Sequence, residues 1–150
     1  MKRVYLVGTI SEDIKTRTWR KEATKLLKDK FEIDDPSSSI FDKGLLKEAN
    51  GDYEKMQKLI GERQSEILLP KSFQSVMNAD IILVNLSMKS ENRPMVGTFF
   101  ELAWAYQNNK TIIAIRGTSY YSFHPMVLGC VHAWSNNVQE ATDIIREFFT

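Results

Sequence analysis

The run Asp80-Ile81-Ile82-Leu83-Val84-Asn85-Leu86 narrows the choice of folds more than any other stretch of this chain. Ile81–Leu86 lacks the polar/apolar alternation of a half-wetted strand and reads as a strand buried on both faces, the habit of parallel sheets. Thr111-Ile112-Ile113-Ala114-Ile115 is a second run of this kind, and Arg3–Gly8, β-rich and closed by a glycine, is a first strand. Phe31-Glu32-Ile33 is a weaker strand that runs into the loop Asp34–Ser39, and Cys130–Trp134 a last short one.

Helical spacing fills the intervals. Trp19, Ala23, Leu26 and Leu27 form a stripe within the charged segment Ile14–Lys28; Phe73, Val76 and Met77 mark a short helix before Asp80. A loop over Ser87–Val96 precedes a helix over Gly97–Asn108. Val138, Ala141, Ile145, Phe148 and Phe149 give a terminal amphipathic helix, with Asn137 and Glu140 spaced for a capping box. Residues 40–68 are polar and irregular, with Gly44, Gly51 and Gly61; one or two helices are expected there, in the most mobile part of the chain. Strands alternating with helices predict an α/β fold: a flavodoxin-like, doubly wound five-stranded parallel sheet with helices on both faces, in a single domain over 1–150.

The chemistry concentrates in Met95-Val96-Gly97-Thr98-Phe99-Phe100-Glu101-Leu102. Glu101 is a lone carboxylate in an almost wholly apolar helix start, close after a buried strand, and ligands of open α/β sheets bind beyond the carboxyl ends of the strands. The positive end of the helix dipole is expected to keep it ionised, and an ionised, partly desolvated glutamate suits nucleophilic attack at carbon. Thr98-x-x-Glu101 is also a capping box, in which the pair would only satisfy free backbone donors. The two roles compete, because a side chain folded back on Thr98 is less free to attack.

Composition closes off several classes. With 150 residues, 43% hydrophobic and 26% charged, the chain has the make-up of a soluble globular domain. A formal charge of +1 gives no footprint for a nucleic acid polymer or an anionic membrane. No apolar leader-like run and no membrane-length apolar run occur, so the expectation is a cytoplasmic protein. Two histidines, His124 and His132, do not make a metal site, and the single Cys130 reads as a small core residue.

Four segments carry a family resemblance: Val4-Tyr5-Leu6-Val7-Gly8-Thr9, Ala79-Asp80-Ile81-Ile82-Leu83, Val96–Leu102 and His124-Pro125-Met126. In this order they resemble the nucleoside 2-deoxyribosyltransferase family, whose relatives include deoxynucleoside 5′-monophosphate and CMP N-glycosidases. The resemblance implies that Glu101 attacks the anomeric carbon of a nucleoside or nucleotide and that the base leaves. Another base (transferase) or water (hydrolase) then resolves the glycosyl ester, as in retaining glycosidases. It implies that Tyr5 orients Glu101 and that Gly8, Thr9 and Gly97 approach the substrate. Asp80 matches at a position that looks structural. The implied chemistry uses neither cofactor nor metal.

Two positions depart from the family pattern. Ser72 stands where an aspartate usually contacts and protonates the departing base, and serine is no general acid at neutral pH. Met95 stands where an aspartate or serine usually contacts the sugar or 5′ end. Asp34 or Asp35, after the second strand, could replace the missing acid, though an acidic turn before proline is often only a turn. His124 occupies a position that the family lends to a neighbouring subunit's site, which implies a homo-oligomer with shared active sites; a plain loop histidine is the alternative. Tyr120, Tyr121 and Phe123 are expected to be exposed and to fit such an interface. The rival reading is a nucleotide-binding protein on the same scaffold with little or no catalysis. A response-regulator receiver would need an aspartate ending the third strand, where this chain has Asn85-Leu86-Ser87.

Overall fold

The computed structural model describes residues 1–10, 13–38, 54, 55, 58, 65–88 and 95–150. Five strands, β1 (Arg3–Gly8), β2 (Glu32–Asp34), β3 (Ile81–Asn85), β4 (Thr111–Ile115) and β5 (Ala133–Ser135), form one sheet in the order β2-β1-β3-β4-β5. Every pairing is parallel. This is the flavodoxin-like order, which reverses direction between β1 and β3. The helices are α1 (Lys15–Leu27), α2 (Ser65–Asn78), α3 (Val96–Gln107), α4 (Pro125–Cys130) and α5 (Val138–Phe149).

Strand alternation divides the core in two. Val4, Leu6, Ile81, Leu83, Ile113 and Ile115 face α1 and α5, packing on Trp19, Ala23, Leu27, Ala141 and Ile145. Tyr5, Val7, Ile82, Val84, Ile112 and Ala114 face α2 and α3, packing on Val76, Leu102 and Ala105. Each fully buried aliphatic side chain contributes about 1.5–3 kcal/mol, so both layers are pinned by the central strands. Gly8 pairs with Asn85, which sets the carboxyl ends of β1 and β3 level at the reversal point.

Several expected boundaries move. β2 starts and ends one residue later than expected, taking in Asp34. The Cys130–Trp134 run splits: Cys130 closes α4, which begins with Pro125 at its first turn, and the strand is Ala133–Ser135. Helix α2 is longer than its apolar spacing indicated and contains Pro70. The helices expected within 40–68 lie mostly outside the described residues; residues 54, 55 and 58 are helical, and 65–68 belong to α2.

The start of α3 bears directly on Glu101. The helix begins at Val96 with Met95 as its N-cap, and no side-chain cap hydrogen bond forms. Thr98 therefore lies inside the first turn, already in helical conformation, and cannot be the N-cap of a Thr98–Glu101 box. Glu101 sits more than a turn into the helix, with its neighbour Leu102 buried against the sheet.

Candidate active site

Tyr5 is the third residue of β1 and projects into the α2/α3 layer, where it is buried. There its hydroxyl hydrogen-bonds the Glu101 carboxylate reaching in from α3. Burial and then the Glu101 charge push the Tyr5 hydroxyl well above its ordinary range, so it stays protonated and remains a donor. Glu101 Oε2 is shut off from solvent and has no hydrogen-bond partner. A buried carboxylate oxygen without a partner is costly, and such groups recur at functional sites.

Burial pushes the Glu101 carboxyl up from its ordinary 4.5 to about 7. The Tyr5 hydrogen bond and the Arg20 charge pull it down, and the Asp34 charge pushes it up. This corrects the expectation of a carboxylate kept ionised by the helix dipole. The dipole's influence fades beyond the first turn, and desolvation wins, so Glu101 is about half protonated at neutral pH.

Three further charges meet this end of the sheet. Asp34 ends β2 directly beside Tyr5 in the parallel register. Asp35 follows it, and its Oδ1 accepts from Ser37 N at 2.9 Å and Ser37 Oγ at 2.7 Å. Arg20, on α1, is wholly buried and donates to the carbonyls of Gly8 and Thr9 at 2.8 and 3.2 Å. Sequence reasoning missed Arg20 because it sits in a charged segment. Its signal was its place on the face shared by Thr16, Ala23 and Leu27, all buried.

The remaining expected residues fall in different places. At Gly8 a Cβ would lie 3.2 Å from the Asn85 carbonyl and 3.3 Å from Trp19, so a side chain there would have to push its neighbours aside by a few tenths of an ångström. Gly97 is exposed, with open space where a Cβ would be. Met95 is buried in the α2/α3 layer. Ser72 lies half-buried on α2. His124 caps α4, its Nδ1 accepting from Met126 N at 3.1 Å, and its ring meets Tyr120 edge-on at 5.5 Å. No hydrogen bond among the described residues joins Ser72, Met95 or His124 to Glu101. Asp80 accepts from Arg3 N at 2.8 Å, a bond that ties the start of β3 to β1.

His124 also lines a mostly apolar groove of about 540 Å³ between α3 and α4, with Phe99, Tyr106, Tyr121 and Met126. Tyr106, Tyr120, Phe123 and Met126 are exposed around it. Tyr121, expected to be exposed, is instead half-buried against Phe99 at 5.0 Å. Among the described residues, no cluster of three or more His, Cys, Asp or Glu could hold a metal, and no helix is long and apolar enough to cross a membrane.

No family model matches the chain, and no curated protein matches it in sequence. Among solved structures it is similar to the CMP N-glycosidase BcmB of Clostridium botulinum, with a TM-score of 0.56. The likeness is one of fold. Identity is 16%, over 98% of this chain and 100% of that one.

Proposed function

We propose that this protein cleaves the N-glycosidic bond of a ribo- or 2-deoxyribonucleoside, or of its 5′-monophosphate, with Glu101 as the nucleophile. The observation that carries this reading is the Glu101 carboxylate itself: half-buried, beside Tyr5, and with Oε2 shut off from solvent without a hydrogen bond. The fold it shares with a protein named as a CMP N-glycosidase agrees with it.

In the reaction, the ionised Glu101 carboxylate attacks the anomeric carbon, and the electrons of the N-glycosidic bond leave with the base. Tyr5, beside the carboxylate, orients it for attack. The departing base must gain a proton, and Ser72 cannot supply one at neutral pH. We assign Asp34, beside Tyr5 in the sheet, to relay that proton from water. Water or a second base then attacks the glycosyl ester and releases Glu101. The backbone at Gly8, Thr9 and Gly97 borders the substrate. The protein acts as a homo-oligomer in which His124 faces a neighbour's Glu101, a reading supported by the apolar groove and exposed aromatics around His124.

One observation favours the second reading, a nucleotide-binding protein with little catalysis: Met95 is core, and neither it nor Ser72 offers the substrate an acid. The experiment that separates the two is incubation with a panel of nucleosides and nucleotides, with and without an acceptor base, read by chromatography. Free base released by the wild type and not by Glu101→Gln supports the enzyme; binding without release supports the second reading.

A further inference from the structure

Arg20 heads the large side chains that are wholly buried among the described residues, and it is charged. Its helix face, with Thr16, Ala23 and Leu27, is buried. An arginine taken out of water is unfavourable unless partners replace the water. Here the partners converge on one spot. Nη2 donates to Gly8 O at 2.8 Å, and Nη1 donates to Thr9 O at 3.2 Å and to Thr16 O. Nε lies 3.8 Å from Asp35 Oδ1. The Trp19 ring lies 4.8 Å from the guanidinium carbon.

Gly8 and Thr9 are successive carbonyls at the open end of β1, and Asp35 directly follows β2. One guanidinium therefore spans the ends of two neighbouring strands, at the edge where Tyr5 and Glu101 meet. Carbonyl dipoles take up its Nη donors, while Asp35 and Glu101 answer its charge. A planar fork reaches two successive carbonyls at once, which a lysine ammonium on a single stem does not.

We infer that Arg20 is a positioning residue of the Glu101 site, locking the ends of β1 and β2 into one rim and supplying the fixed positive charge for the Glu101 carboxylate. The inference rests on Glu101 as the nucleophile. Among the described residues, the groups that bear on Glu101 are Tyr5 from β1, Arg20 from α1 and Asp34 from β2, and of these Arg20 alone is a cation. Tyr5 fixes the carboxylate's direction, and Arg20 favours its charged form from behind the β1 rim.

The test is a titration of the full-length protein labelled with ¹³C at the glutamate carboxyls, the Glu101 signal being the one lost in Glu101→Gln. Wild type, Arg20→Gln and Arg20→Lys are compared. Glutamine can still donate to a carbonyl but carries no charge; lysine keeps the charge and loses the fork. The Glu101 midpoint should rise by about one pH unit in Arg20→Gln, a roughly tenfold weaker acid, and return to near the wild-type value in Arg20→Lys. In the base-release assay the acid limb of kcat/KM should move with it, and Arg20→Lys should raise KM while leaving that limb in place. A midpoint unmoved in Arg20→Gln, or no rescue by lysine, overturns the inference. Failure of both variants to fold assigns Arg20 to stability alone and also overturns it. Midpoints that shift as expected in a protein that releases no base from any substrate leave the electrostatic role standing and remove the glycosidic reading instead.

Discussion

Glu101→Gln should stabilise this protein, and only as the pH rises. The Glu101 carboxyl is pushed from 4.5 in the unfolded chain to about 7 in the folded one, chiefly by burial. Between those values the native state holds a proton that the unfolded state has released, so unfolding free energy falls as pH rises. The stability is fully present below about pH 4.5 and is lost as pH climbs through 7. At 1.36 kcal/mol for each pH unit, the gap costs the folded wild type about 3 kcal/mol by pH 8. Glutamine keeps the shape and can still accept from Tyr5, but it never ionises. Urea unfolding of both proteins at pH 4.5, 6 and 8 isolates the effect, because every other titrating group is common to the pair. The stability difference, variant minus wild type, should grow by about 3 kcal/mol across this range, while base release is lost at all pH values. A difference that stays constant with pH would refute the buried, partly protonated carboxylate on which the account rests.

Tyr5→Phe removes the hydrogen bond that favours ionised Glu101; it should raise the acid limb of kcat/KM above pH 7 and cost about 1.5–3 kcal/mol at pH 8, less at pH 5, by the same unfolding assay. Asp34→Asn removes the charge that raises Glu101; it should lower the Glu101 midpoint in a carboxyl NMR titration while cutting turnover by about 10² to 10⁴ through loss of the proton relay. Met126→Glu places a charge on the exposed groove between α3 and α4; sedimentation should show the wild type as an oligomer and the variant shifted toward monomer, with base release reduced.

The sheet was legible because Ile81–Leu86 and Thr111–Ile115 are apolar without alternation and rich in β-branched residues, which suits a strand covered on both faces. The terminal helix was legible in outline: Asn137 accepts from Glu140 N at 2.8 Å, but the Glu140 carboxylate accepts from Asn136 N at 2.7 Å rather than from Asn137 N, and Phe148 is exposed. The matching pattern at Thr98 and Glu101 misled, because the helix had already begun at Val96 and no cap pairing was left to make. Cys130–Trp134 misled for the opposite reason: an apolar run of that length suits a strand or a buried helix end, and here Pro125 starts a helix that takes its first residue. At the site, Glu101 and Tyr5 could be paired from the family resemblance, and the two side chains bear on each other across β1 and α3. The direction of the Glu101 ionisation could not be read, since it depends on how completely β1 and α3 exclude water. Arg20 was hidden by chemistry of another kind: its partners are backbone carbonyls, which leave no mark in a sequence.

The most direct test of the central claim is to trap the covalent step. The protein is mixed with each nucleoside and nucleotide of the panel, quenched in acid within the first turnover, and examined by intact-mass spectrometry and peptide mapping. The account predicts added mass equal to the glycosyl group, or glycosyl phosphate for a nucleotide, on the peptide that contains Glu101, formed together with free base and absent from Glu101→Gln. Base release with the adduct on a different residue, or undiminished release by Glu101→Gln, would contradict it.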